Sequence, residues 1–169
     1  IYHSSITYFP LLPLSKTASF ECKVLDIRQM PAQVLFPHWD DEFEFIYVLS
    51  GMMEFRVRQK AFLVSSGEGF FLNTGEIHSA CAYQSYDCRF VIYRICPSVL
   101  FQTEDNPLYQ KYIKPMVDHP SFGFLTFVPK VPWQKYILEM IRKMNDICEC
   151  PVDGYELKIN HFINEIFYY

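Results

Sequence analysis

Several features are scarce in this sequence, and each absence excludes a class of protein. The formal net charge is −4 and no dense cluster of lysine and arginine occurs, so the chain by itself is a poor partner for nucleic-acid phosphates. No apolar run approaches the ~18 residues of a membrane span. Residues 1–16 lack the basic stretch of a signal peptide. An initiator methionine is also lacking, so we expect a fragment of a longer protein.

Cysteine is present six times, but never in a CxxC pair, and Cys148 and Cys150 are too isolated to predict a zinc site. Without a secretory signal, an even cysteine count does not by itself indicate disulfides. We therefore interpret the cysteines as reduced thiols that act mainly as small core residues, and we expect a cytoplasmic protein.

Apolar residues are abundant: half of the 169 residues are hydrophobic and 18% are aromatic, which is typical of a globular chain with a sizeable core. Over the first two thirds, short alternating or apolar runs are separated by turn signals such as Ser50-Gly51 and Thr74-Gly75. Many short strands with regular turns predict a β-sandwich or β-barrel.

The last third changes to helical spacing. Apolar residues recur at helical intervals from Trp133 to Cys148, with Pro132 as a helix-start residue, and again from Tyr155 to Phe167. Residues 97–132 are predicted to be irregular, with a short helix near Pro107 to Met116. The sequence thus predicts a barrel with an N-terminal arm over residues 1–130, followed by a helical hairpin over residues 131–169.

The stretch HWDDEFEFIYVLSG, residues 38–51, places polar groups on a face that should point inward. In a strand, side chains alternate between faces, so His38, Asp40 and Glu44 share the face of Ile46 and Val48. A buried carboxylate requires a partner. That partner is a metal ion, an arginine, a hydroxyl-rich ligand or water.

A second stretch, GEGFFLNTGEIH, covers residues 67–78 and brings His78 to the start of a strand. The two stretches together resemble the two cupin motifs in their spacing, which implies a double-stranded β-helix, or jelly-roll barrel. Some identities depart from those motifs: Asp40 replaces the second histidine, Asn73 the proline, Ala82 the final asparagine and Ala32 the leading glycine.

A narrower resemblance covers nearly the whole chain. FPHWDDEFEFIYVLSGMMEFRV, GEGFFLNTGEIHSA and the tail GYELKINHFINEIFYY are similar to the N-terminal sensor domain of AraC-type transcription regulators. The resemblance implies a bacterial, non-enzymatic domain that binds a small effector, a sugar or related metabolite, and forms a homodimer, while DNA is bound by a further part of the protein. The hairpin residues that it suggests for the dimer interface are Tyr136, Ile137, Met140, Met144, Phe162 and Ile166.

Two interpretations of the polar residues stay open. As ligands, His38, Asp40, Glu44 and His78 would suit zinc, nickel, iron or manganese. The interpretation that we favour is a metal-free polar patch that binds the effector, and a purely structural salt-bridge role is a third. The predicted ligand-binding set is Phe36, His38, Asp40, Glu44, His78 and Tyr93. Which face of strand 89–95 lines the cavity is left undecided.

An enzyme is the alternative to a sensor. Some cupins are metal-dependent enzymes, and His78 with Glu44 could perform acid–base chemistry on a sugar or organic acid. The sequence shows no additional nucleophile and no cofactor motif, so we predict that the chain is not an enzyme.

Overall fold

The computed structural model describes residues 7–13, 19–84, 86–101, 105–119 and 121–169. Of the predicted N-terminal arm, residues 1–6 and 14–18 lie outside the described residues. Nine strands are described: β1 Thr7–Pro13, β2 Ser19–Asp26, β3 Val34–His38, β4 Phe43–Val57, β5 Lys60–Ser65, β6 Gly69–Leu72, β7 His78–Ala82, β8 Cys88–Ile95 and β9 Phe124–Phe127. The α-helices are α1 Lys114–Val117, α2 Pro132–Glu149 and α3 Tyr155–Tyr168.

The strands form two antiparallel sheets that share β4. The first sheet has the order β1-β2-β8-β4-β6-β9, and in the second β4 pairs with β5 and β7, which in turn pairs with β3. The first half of β4 therefore belongs to one sheet and its second half to the other. This mainly antiparallel architecture confirms the predicted cupin-like jelly roll, followed by the helical hairpin α2–α3.

Gly51 is the point at which β4 passes from one sheet to the other. Its φ is +80°, a conformation that glycine adopts without steric cost, and a Cβ built there would lie 1.6 Å from Asp87 O. The pairing with β8 also shifts register between Val48 and Ser50. The glycine that the sequence suggested as the end of a strand is therefore a bend within a single strand of 15 residues.

Two cores result from this arrangement. Between the sheets, Ile46, Val48, Phe55, Phe70 and Phe90 fill the barrel interior and are fully buried. Burial of each such side chain contributes roughly 1.5–3 kcal/mol. The opposite face of the first sheet packs against the helices, and this is why the strand sequence FEFIYV is apolar on both faces.

The helical hairpin covers the outer face of the first sheet. Phe43, Phe45 and Tyr93 from the strands meet Ile141 of α2 and Ile163 of α3 in this second core. The apolar stripes of both helices therefore pack within one chain. Among the described residues, no helix is long and apolar enough to cross a membrane.

The segment between the barrel and the hairpin is more ordered than predicted. The short helix near Pro107 to Met116 is present as a π-helical turn, Tyr109–Ile113, that continues into α1. Strand β9 was not predicted, because its four residues FLTF are too few to show a period. Strand β9 completes the first sheet by pairing with β6.

Candidate functional site

A buried acid–base pair lies at the centre of the candidate site. Glu44 near the start of β4 and His78 at the start of β7 each have 1% of the side chain exposed, and Glu44 Oε2 lies 3.0 Å from His78 Nε2. His78 Nδ1 lies 2.9 Å from Glu76 O, and the imidazole ring stacks on Phe55. If Nδ1 donates to that carbonyl, only the protonated imidazole also presents an N–H to Glu44.

Arg94 of β8 joins this pair to two further carboxylates. Its Nε donates to Glu44 Oε1 over 3.0 Å, one terminal nitrogen lies 3.3 Å from Asp40 Oδ2, and the other lies 3.4 Å from Glu21 Oε2. Strand register explains the contacts, because Glu21 of β2 and Glu44 of β4 are the partners of Arg94 on its two neighbouring strands. The predicted ligand-binding set contained neither Arg94 nor Glu21, although Arg94 lies on one of the two faces of strand 89–95 between which the sequence did not decide.

The pKa values of the site respond to burial and to charge. Burial of Glu44 favours its neutral form, but His78 and Arg94 outweigh this effect and hold the pKa of the carboxyl below its ordinary value. Burial opposes a charged His78, but Glu44 outweighs it and raises the pKa of the imidazole. Burial together with the charge of Glu44 raises the pKa of Asp40. The geometry thus favours a charged Glu44–His78 pair.

His38 completes the cluster at its exposed side. The residue is the partner of His78 across β3 and β7, and the two ring centroids are 4.2 Å apart. His38 Nδ1 lies 2.7 Å from Phe36 O, and Nε2 lies 3.7 Å from Asp40 Oδ2. One ligand atom each from His38, Glu44 and His78 lies within 4.8 Å of the others.

The cluster has hydrogen-bonding capacity that the described residues do not use. Asp40 Oδ2, Glu44 Oε2 and His78 Nε2 are buried and have no hydrogen-bond partner there, since their ion-pair contacts lack hydrogen-bond geometry. Buried polar atoms without partners are costly. Because Arg94 occupies Glu44 Oε1, Oε2 faces His78 Nε2 and can act together with it as a ligand atom. Two imidazoles and one or two carboxylates therefore fit zinc, nickel, iron or manganese.

A cavity of about 410 Å³ lies beside Arg94 and within the barrel wall. Its volume is in the range of small-molecule sites. Its polar lining comes from β2, β8 and the segment after β2, and its apolar lining includes Leu35 of β3. The lining residues are Glu21, Lys23, Leu25, Asp26, Gln29, Met30, Pro31, Leu35, Ile92 and Arg94.

The structure also shows which face of strand 89–95 lines the cavity. Ile92 and Arg94 face the cavity, whereas Tyr93 lies on the opposite face, fully buried against α2, where its hydroxyl donates to Ile141 O over 3.2 Å. Tyr93 therefore does not line the predicted site. Its assignment to the ligand-binding set is corrected, because the residues of β8 that point into the barrel interior are the even-numbered ones, such as Ile92 and Arg94.

Phe36 is a second correction. The side chain is 60% exposed, and Leu35 lines the cavity in its place. Phe36 does not share the inward face of His38, because the pairing of β3 with β7 shifts register between Leu35 and His38. Trp39, which follows His38, is 56% exposed.

Four of the predicted dimer-interface residues lie inside the chain. Ile137, Met140, Met144 and Ile166 are at most 5% exposed and fill the core between the first sheet and the helices. Their apolar character is therefore accounted for within one chain. Tyr136 and Phe162 are partly buried against the same core.

Asn73, at the motif position of a proline, has a structural role. Its Nδ2 donates to Met116 O and Phe122 O over 2.6 and 2.7 Å, and its Oδ1 accepts from Thr74 N over 2.8 Å. The side chain attaches α1 and the segment after it to the loop that leads to His78. A proline there could make none of these side-chain contacts.

The fold and the site together define a cupin-type barrel with a covering helical hairpin and a polar cavity of ligand-binding size. A sequence model described as the AraC-like ligand binding domain matches residues 23–146. The chain belongs to this family, which confirms the resemblance seen in the sequence.

A relative and two solved structures illustrate the similarity. The uncharacterized HTH-type transcriptional regulator YdeC of Bacillus subtilis is 28% identical over 122 residues, which cover 72% of this chain and 41% of the relative. This chain thus spans less than half the length of that protein. Apo ToxT K231A from Vibrio cholerae has a TM-score of 0.55 at 9% identity, covering 88% of this chain and 54% of that chain. The Cnp3 cupin domain of Schizosaccharomyces pombe has a TM-score of 0.44 at 17% identity, covering 54% of this chain and 69% of that chain.

Proposed function

We propose that this chain is the effector-binding and dimerisation domain of a cytoplasmic AraC-type regulator, and that a small polar molecule, a sugar or related metabolite, binds in the cavity beside Arg94. The observation that carries the proposal is the position of Arg94, which borders the cavity and also contacts Glu44 and Asp40. Membership of the ligand-binding family supports a sensor rather than an enzyme. The relative with a helix-turn-helix supports DNA binding by another part of the protein.

A route from the cavity to the helices supports regulation by a shift between two arrangements. Arg94 contacts the cavity, and the adjacent Tyr93 donates its hydroxyl hydrogen bond to α2 from the other face of β8. A ligand that moves Arg94 would therefore move a strand that is bonded directly to the hairpin. The placement of the DNA-binding part would follow from that movement.

Binding in the cavity can be tested by filling it. Thermal unfolding and calorimetric titration with a panel of neutral sugars should show binding to the wild-type chain. Ile92→Trp places an indole in the cavity and should abolish that binding. The matched control is Ile77→Trp, at a position 58% exposed, which should bind as the wild type does. Equal loss of binding in both variants, or no loss in either, would contradict the cavity as the binding site.

The cluster of His38, Glu44 and His78 supports a second candidate function, a metal-dependent cupin enzyme acting on a sugar or organic acid. A bound metal would supply a Lewis acid there, while Arg94 would orient Glu44 by holding its other oxygen. Elemental analysis and titration with zinc, nickel, iron and manganese test the site, and His78→Ala should abolish any binding. Steady turnover by the metal-loaded chain would favour the enzyme over the sensor.

Dimerisation through the hairpin is supported by the exposed apolar residues of α3. Leu157 and Tyr168 are 78% and 82% exposed, and their spacing places them near one side of the helix. Sedimentation should show a dimer that Leu157→Asp weakens. The control Leu63→Asp changes a leucine that is 44% exposed on β5 and should leave the dimer intact. A monomer at high concentration would contradict the proposal.

A further inference from the structure

Negative charge exceeds positive charge in the polar interior of the barrel. Among the described residues that line the cavity or contact Arg94, carboxylates outnumber the permanently charged cations by two, and the only other titratable groups of the cluster are His38 and His78. The carboxylates are Glu21, Asp26, Asp40 and Glu44, and the cations are Lys23 and Arg94. Even with His78 protonated beside Glu44, carboxylates exceed cations by one, so this interior favours a positive ligand over a negative one.

Arg94, the group that would be expected to bind an anion, is already engaged. Each of its three nitrogens lies within 3.4 Å of a carboxylate oxygen, on Glu44, Asp40 or Glu21. An anionic ligand would have to displace one of these contacts and leave a carboxylate without its cation. Displacing a partly buried ion pair in this way is unfavourable.

The unused hydrogen-bond acceptors of the interior also favour a ligand that supplies hydrogen-bond donors. Asp40 Oδ2 and Glu44 Oε2 are buried oxygens whose contacts with Arg94, His38 and His78 are ion pairs without hydrogen-bond geometry. An ionised carboxylate can only accept hydrogen bonds. The interior therefore has more acceptors than donors, and a complementary ligand must supply N–H or O–H groups.

Glu21 is the carboxylate best placed to meet such a ligand. The side chain borders the cavity, is 20% exposed, and has its contact with Arg94 at the long distance of 3.4 Å. Asp26, the other cavity carboxylate, instead accepts from Arg28 N at 2.9 Å and caps the segment after β2. Leu25, Leu35 and Ile92 supply an apolar wall for the carbon framework of the ligand.

We propose that the effector carries a protonated amine on a small hydroxylated framework, and that Glu21 is the counter-ion of that amine. The proposal rests on the proposed function, in which the barrel cavity binds the effector. It also predicts discrimination against organic acids and phosphorylated sugars of the same size, because these bring negative charge and acceptors to an interior that already has an excess of both.

Matched pyranoses that differ in charge test the proposal. Glucosamine and galactosamine, glucose and galactose, and glucuronate and galacturonate are titrated calorimetrically into the chain after treatment with EDTA, since a divalent cation at His38, Glu44 and His78 would cancel the excess charge. The amino sugars should bind about tenfold tighter than the neutral sugars, as expected for one hydrogen bond to a charged group. The acidic sugars should bind most weakly.

Glu21→Gln separates charge from shape. The variant keeps the size and an oxygen acceptor but removes the charge, so the tenfold advantage of the amino sugars over the neutral sugars should disappear. Glu139→Gln on the outer surface of α2, with a side chain 47% exposed, is the control and should retain that advantage. A variant Glu21→Gln that still prefers amino sugars would overturn the role of Glu21.

The possible results distinguish this inference from the function on which it rests. Tighter binding of the acidic or neutral sugars, abolished by Ile92→Trp, would overturn the amine and leave the barrel as the sensing site. Binding that Ile92→Trp does not affect would overturn the cavity as the site, and with it the inference. If none of the six sugars binds, both the amino-sugar effector and the proposed sugar specificity are wrong.

Discussion

Arg94 donates from Nε to Glu44 Oε1 over 3.0 Å. This hydrogen bond connects the cluster of His38, Glu44 and His78 to the cavity beside Arg94. The two residues are register partners on neighbouring strands, so the contact is built into the sheet rather than into a loop. Glu44 is thereby fixed with one oxygen bonded to Arg94 and the other 3.0 Å from His78. The site is therefore preorganised around the Glu44–His78 pair.

Replacing Glu44 should destabilise the chain strongly. Glu44→Gln leaves the buried His78 and the partly buried Arg94 without their shared counter-charge, and the loss should be about 3 kcal/mol in the free energy of unfolding. Urea denaturation measures it. Glu139→Gln on the surface of α2 should change the same quantity by less than about 0.5 kcal/mol. Similar small losses for both variants would show that the buried network contributes little.

The stabilising contribution of His78 should depend on pH. The folded pKa of His78 is raised, so its contribution is complete below the unfolded value of 6.5 and is lost as the pH rises through the folded pKa. The folded pKa of Glu44 is lowered, so its contribution is present above 4.5 and is lost as the pH falls through the folded pKa. Both contributions are present between these two values.

The measurement compares the wild type with His78→Gln by urea denaturation at several pH values. The difference in the free energy of unfolding should be larger near pH 6 than near pH 9. His119→Gln, at an exposed position, is the control and should show no such trend. A difference that grows toward alkaline pH would mean that His78 is stabilised as the neutral imidazole.

Asn73 should contribute through its side-chain amide. Asn73→Ala removes two donated hydrogen bonds and one accepted bond at a position 5% exposed, and it leaves Met116 O and Phe122 O without this donor. We expect a loss of about 2–4 kcal/mol in the free energy of unfolding, measured by urea denaturation. Asn164→Ala, on the exposed side of α3, should cost less than about 1 kcal/mol.

Tyr93→Phe tests the corrected position of Tyr93. The variant loses the hydroxyl bond to Ile141 O and should lower the free energy of unfolding by about 1 kcal/mol, while sugar affinity in the barrel changes by less than about threefold. Calorimetric titration and urea denaturation measure the two effects separately. Loss of affinity with unchanged stability would return Tyr93 to the binding site.

The sequence predicted the architecture and the proximity of three polar side chains for identifiable reasons. Spacing placed His38, Glu44 and His78 together because the two motif stretches lie on strands that the barrel folds next to each other. Helical periodicity predicted α2 from Pro132 onward, since that signal extends over 18 residues. Strand β9 was missed because four residues are too few to carry such a signal.

The rest of the site depends on three-dimensional neighbours that no local pattern specifies. Glu21 and Arg94 are 73 residues apart and meet only because β2 and β8 pair. The face of β8 was ambiguous, because both of its faces are buried, one in the barrel and one under the helices. Phe36 was misplaced because a register shift interrupts the alternation on which the prediction relied.

The most direct test of the sensing site is the NMR signal of the Arg94 side-chain Nε–H, assigned by its absence in Arg94→Lys, during titration with the amino and neutral sugars. If the cavity beside Arg94 binds the effector, the signal shifts with saturation at the concentrations at which calorimetry detects binding, and Ile92→Trp abolishes the shift. A bound sugar that leaves the Arg94 signal unchanged would contradict the proposed site.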